Sequence, residues 1–64
     1  MINNIKKFRK GNCLNIYELG ERVGISYSYL SALENGQKEN PSYDTITKLM
    51  KYFSCTFEQL FPQV

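Results

Sequence analysis

Four residues within one short stretch, Tyr27, Ser28, Ser31 and Ala32, have the types and the spacing to approach another molecule closely. On a helix turning about 100° per residue they share one arc, and Tyr29, Leu30 and Leu33 fall on the opposite one. An ordinary exposed helix face carries Lys and Glu, whereas this arc carries no charge until Glu34. A phenol, two hydroxyls and a methyl suit hydrogen bonding to base edges and contact with a thymine methyl, and the major groove admits a helix. A protein-binding face has the same character. The arc alone therefore leaves duplex DNA and a protein partner both open.

Other chemistries lack their parts. The 64 residues contain no His, so there is no Ser-His-Asp triad, no Cys-His pair and no imidazole metal ligand. Cys13 and Cys55 are too few and too far apart for a zinc cage or a redox dithiol. No Gly-rich phosphate loop is present. The expectation is a protein with no catalytic residue, no metal and no cofactor. Eight basic and six acidic residues leave a net charge of +2, and Lys6, Lys7, Arg9 and Lys10 fall together as a phosphate-facing patch or a solvated helix face. The longest apolar runs are far below the ~20 residues of a membrane crossing. The polar start Met1-Ile2-Asn3-Asn4 is unlike a signal peptide. A cytoplasmic protein with reduced thiols is expected.

The elements that must position the arc read as helices throughout, in one domain over residues 1–64. A chain this short buries only about 60% of its unfolded surface, so one core must carry the stability. Ile5 and Phe8 mark a first amphipathic helix ending near Gly11-Asn12. Asn15 and Glu18 have capping-box spacing ahead of Leu19 and Val23. Gly24 breaks that helix, and Ser26 is placed to cap the next, which stops at Asn35-Gly36. Ser42 caps a fourth helix carrying the stripe Ile46, Leu49, Met50 and Phe53, with Asp44 favourable near its start. Thr56 and Gln59 repeat the capping-box spacing for a final turn, with Leu60 and Phe57 or Phe61 turned inward.

Glu18-Leu19, Val23-Gly24-Ile25-Ser26, Ser28-Tyr29-Leu30-Ser31, Leu33-Glu34-Asn35-Gly36 and Asn40-Pro41-Ser42 together resemble the Cro/cI-type (Xre) helix-turn-helix family. The resemblance runs from about Ile5 to Phe61, with the motif itself at about residues 15–36, and rests on the order and spacing of the pieces. It implies an all-α, compact five-helix lambda-repressor-like fold and a DNA-binding transcriptional regulator, a repressor or an activator with the repressor preferred, acting as a homodimer on a two-fold symmetric double-stranded DNA operator. Ser26 to Asn35 would be the recognition helix. Its groove-facing positions match Tyr27, Ser28, Ser31 and Ala32, the arc isolated above. Phosphate-contact positions match Asn15, Ser26, Asn35 and Lys38, with Tyr43 a further candidate. Arg9 and Glu34 match an ion pair tying the first helix to the third. Tyr29 would pack inward with its hydroxyl near a phosphate, and Cys55 would be a buried, inert thiol.

Several positions depart from the family pattern. Ile16 stands where many members have a backbone-contacting Gln, leaving the helix-start N–H groups to meet phosphate. Gly20 replaces the usual Ala against the recognition helix. Cys13 stands at a common turn Gly, so Asn12 is expected to take the left-handed position. Glu39 puts a negative charge in the loop that would face phosphates. Tyr52, Phe53, Phe57, Phe61 and Val64 give a C-terminal aromatic surplus, part of it read as a dimer interface, with a tighter intramolecular cap as the alternative. With no sensor domain in the sequence, regulation is expected through a regulatory protein partner, oligomerisation or expression level. Two other readings stay open: a protein-interaction module such as an antirepressor, and the antitoxin of a toxin–antitoxin pair.

Overall fold

The computed structural model describes residues 3–38 and 40–62. They form α1 (Ile5–Gly11), α2 (Ile16–Val23), α3 (Tyr27–Glu34), α4 (Tyr43–Phe53) and α5 (Phe57–Leu60). Local chemistry sets most of the helix starts. The Asn15 Oδ1 accepts the Glu18 N–H at 2.8 Å, and Glu18 Oε1 accepts the Asn15 N–H at 2.9 Å, a complete capping box that satisfies two donors the helix leaves unpaired. Thr56 and Gln59 repeat the device for α5. Ser42 Oγ accepts the Thr45 N–H at 3.1 Å to start α4. Ser26 differs from expectation: it occupies the N-cap position of α3, yet its hydroxyl makes no cap hydrogen bond.

The first turn also differs. Asn12 keeps φ −99°, and Cys13 takes the left-handed step at φ 57°. Asn12 is held near the helical region because its N–H and Nδ2 both donate to the Phe8 carbonyl, at 3.1 and 2.8 Å. The reversal then falls one residue later, where Cys13 N–H reaches Lys10 O and Leu14 N–H reaches Arg9 O, at 3.0 and 3.1 Å. That pair of bonds is a Schellman motif with Cys13 in the place usually given to Gly.

One core underlies all five helices, built from Ile5, Leu14, Leu19, Val23, Leu30, Leu33, Leu49, Leu60 and Phe61. Much of the C-terminal aromatic surplus is spent internally, as an intramolecular cap has it. Phe61 is buried, Phe53 stacks on Phe8 at 5.4 Å between centroids, and Tyr52 meets Phe53 edge-on. Phe57 stays exposed and lines a shallow groove with Tyr43, Ile46, Thr47, Met50 and Lys51. Val64 and Glu39 lie outside the described residues. The start of the chain closes on its end, since the Asn4 N–H donates to Leu60 O at 2.8 Å and its Nδ2 to Gln59 O at 2.9 Å. Among the described residues no helix is long and apolar enough to cross a membrane.

Candidate nucleic-acid interface

The second and third helices meet across a tight corner. Gly24 makes it, at φ 71°, a left-handed backbone that costs Gly nothing sterically. Gly20 sets how near the two helices come: a Cβ built there would lie 2.7 Å from the Ile25 carbonyl oxygen and 3.3 Å from the Tyr27 nitrogen. Both neighbours are backbone and cannot rotate aside. The start of α3 therefore rests directly on α2.

The far end of α3 is held by the first ten residues. Arg9 Nε donates to Glu34 Oε2 at 2.8 Å and Nη2 to Glu34 Oε1 at 3.1 Å, while Nη1 donates to Leu14 O at 2.9 Å. Both side chains are mostly hidden, at 12% and 6% exposure, so this is a desolvated, two-pronged pair. The hydrogen bond to Glu34 raises the Arg9 pKa further above its high ordinary value, against the opposing effect of burial. Asn3 adds a second tie, its Nδ2 donating to Leu33 O at 2.8 Å. Arg9 thus leaves the basic stretch and turns inward, with Lys6, Lys7 and Lys10 staying in solvent.

Between these anchors the recognition helix of the sequence reading becomes α3 with Ser26 and Asn35 as its caps. Leu30 and Leu33 are buried and Tyr29 half-buried. Tyr27 and Ser28 are exposed, whereas Ser31 and Ala32 are half-buried, so the uncharged arc is most open at its N-terminal end. Among the phosphate candidates, Asn15 has its Oδ1 committed to the cap, leaving its amide nitrogen as the side-chain group able to donate outward. Ser26 is exposed with its hydroxyl free of the cap. Asn35 is exposed and donates weakly to Ser31 Oγ at 3.4 Å.

The turn after α3 folds back on itself. The Gln37 and Lys38 N–H groups both donate to Ala32 O, at 2.9 and 3.2 Å, and the Lys38 ammonium stands 5.8 Å from the centre of the Tyr29 ring. The Tyr29 hydroxyl accepts the Ser42 N–H at 3.3 Å, which keeps its own proton available for an outside acceptor. Tyr43, first residue of α4, is 83% exposed. Asn15, Ser26, Asn35, Lys38 and Tyr43 are thus all exposed and lie at helix ends or in the turn after α3.

Sequence reasoning missed Tyr17. It is 62% exposed on α2 and its ring lies 4.6 Å from that of Tyr27, tilted by 52°. A signal was available in the spacing: Tyr17 stands three residues before Gly20, one helical turn along the face of α2 that the start of α3 approaches. Among the described residues no group of His, Cys, Asp and Glu is placed to hold a metal ion. Cys13 is exposed and Cys55 half-buried, where burial pushes its thiol pKa up.

The helix-turn-helix family model matches residues 5–60. The transcriptional regulator SinR of Bacillus subtilis is 38% identical over 59 residues, which cover 92% of this chain and 53% of SinR. An uncharacterised helix-turn-helix regulator of Coxiella burnetii is 33% identical over 58 residues, 91% of this chain and 27% of that protein. Among solved structures, SinR in its complex with SinI superposes with a TM-score of 0.89 at 31% identity, covering 98% of this chain and 62% of SinR. The N-terminal DNA-binding domain of B. subtilis SinR gives 0.85 at 30% identity, covering 94% of this chain and 87% of that one. The chain spans about half the length of SinR. The five-helix fold, its glycine corner and the matched pattern agree: the chain belongs to the helix-turn-helix family.

Proposed function

We propose that these 64 residues form one domain that binds duplex DNA sequence-specifically as part of a transcriptional regulator, acting as a repressor in the cytoplasm and performing no catalysis. The observation that supports this reading is the uncharged arc of α3, exposed at its N-terminal end and on a helix held at both ends. Tyr27, Ser28, Ser31 and Ala32 read base edges in the major groove. Asn15, Ser26, Asn35, Lys38 and Tyr43 contact phosphates and fix the register. One such domain covers too few base pairs for genomic selectivity, so two copies sit on half-sites ~34 Å apart, one turn of the duplex. SinR has been solved with SinI, and a regulatory protein partner is proposed for this chain by analogy.

Selection of bound sites from a random duplex pool at about 0.1 M salt tests this reading. Enrichment of a two-fold symmetric motif with half-sites one turn apart is expected. A lone half-site would remove the homodimer and keep the DNA reader. No enrichment by folded protein would overturn the DNA reading in favour of a protein partner for the same arc, whose lack of Lys and Arg suits one.

A further inference from the structure

Tyr17, the ring paired with Tyr27 at the corner, has no part in the DNA contacts proposed above. Aromatic rings are ordinarily among the better-covered side chains, yet Tyr17 is 62% exposed and Tyr27 49% exposed. Each ring finds cover in the other, 4.6 Å apart and tilted by 52°. Neither phenol hydroxyl has a hydrogen-bond partner among the described residues, in contrast to Tyr29 and Tyr52, whose hydroxyls meet Ser42 and Arg22. The pair thus contributes no polar tie to the fold. What it does is restrict Tyr27, which sits at the first position of α3 with only one neighbouring ring to lean on.

Gly20 makes the pairing possible. Because no Cβ at Gly20 separates the middle of α2 from the Ile25 carbonyl and the Tyr27 backbone, the first residue of α3 sits close to α2, and Tyr17, three residues before Gly20 on the same helix face, reaches it. A side chain that is to read a base must be held in one rotamer before the DNA arrives, since ordering it on binding costs affinity. An aromatic neighbour at this distance supplies that restraint.

We propose that Tyr17 is a positioning residue for sequence readout: its ring fixes the rotamer of Tyr27, and through Tyr27 the base preference at one end of the half-site. This rests on the DNA-binding reading. Its partner is the duplex at the edge of the groove, where Tyr27 makes the contact and Tyr17 acts through it.

Two measurements separate this proposal from the reading beneath it. In the free protein, side-chain J-couplings of Tyr27 report its rotamer without any DNA. One dominant rotamer is expected for wild type and for Tyr17→Phe, and averaged couplings for Tyr17→Ala. In site selection, Tyr17→Phe should keep the wild-type motif. Tyr17→Ala should lose about three- to tenfold in affinity for the selected site, with the loss in discrimination confined to the base pair that Tyr27→Ala also relaxes.

Adding Tyr17→Ala to Tyr27→Ala should relax that preference no further. Thermal melts close to wild type, expected for an exposed residue, establish that the variants fold. Unchanged Tyr27 couplings in Tyr17→Ala overturn the proposal whatever the DNA results. So does an equal loss on selected and scrambled duplexes, which would make Tyr17 a simple backbone contact. If wild type selects no motif while the couplings behave as expected, the DNA reading itself fails and takes the readout role with it.

Discussion

Lys38 acquires its place from its neighbours. The doubled hydrogen bond onto Ala32 O turns the chain back towards α3, and the Tyr29 ring receives the ammonium at 5.8 Å, a contact worth ~0.5–1 kcal/mol at an exposed site. The charge is thereby held over the Tyr29 ring, without an acidic partner among the described salt bridges. Lys38→Ala should weaken binding to every duplex alike and reduce the slope of log K against log salt by about one. An unchanged slope would mean that Lys38 meets no phosphate. The family resemblance made Lys38 a candidate, whereas its support by Tyr29 depends on a tertiary fold-back that no local pattern encodes. Cys13 shows the same limit. The turn was legible from Gly11-Asn12, but its left-handed residue was decided by where the Asn12 side chain found a carbonyl.

At the scale of elements, α3 depends on α2 at one end and on α1 at the other. Replacing Gly20 by Ala would favour an isolated helix by ~1 kcal/mol. Here the added carbon would lie 2.7 Å from a backbone oxygen, and overpacking against something that cannot rotate costs about 1–3 kcal/mol. Gly20→Ala should therefore destabilise the protein in denaturant titration and push the start of α3 outward, separating Tyr17 from Tyr27. A gain in stability would show that the corner has slack. The helices themselves were readable because their starts are chemical: Asn15-x-x-Glu18 and Thr56-x-x-Gln59 each specify a cap within four residues. Ser26 defeated the same logic, since a residue of the right type stands at the right place and its hydroxyl is left unused. The aromatic surplus was only partly legible for a related reason. Apolar residues near a chain end look unpartnered until the Phe8–Phe53 stack and the burial of Phe61 are seen.

For the whole molecule, stability is small and unevenly placed. A chain of this length commands on the order of 3–10 kcal/mol in all. Arg9→Ala would leave Glu34 hidden and unpaired, a loss of about 3–5 kcal/mol, enough to unfold much of the population. A full-strength melt from that variant would show the pair to be ornamental. The guanidinium that joins Glu34 to the Leu14 carbonyl also has a kinetic meaning. The last turn of α3 cannot fray without letting go of α1 and of the approach to α2, so these segments should open as a single cooperative unit. Amide protons of α1 and of the C-terminal half of α3 are then expected to show one shared opening free energy in exchange with solvent deuterium. In Arg9→Lys, which keeps the charge and loses the fork, that shared value should split in two, with α3 the less protected.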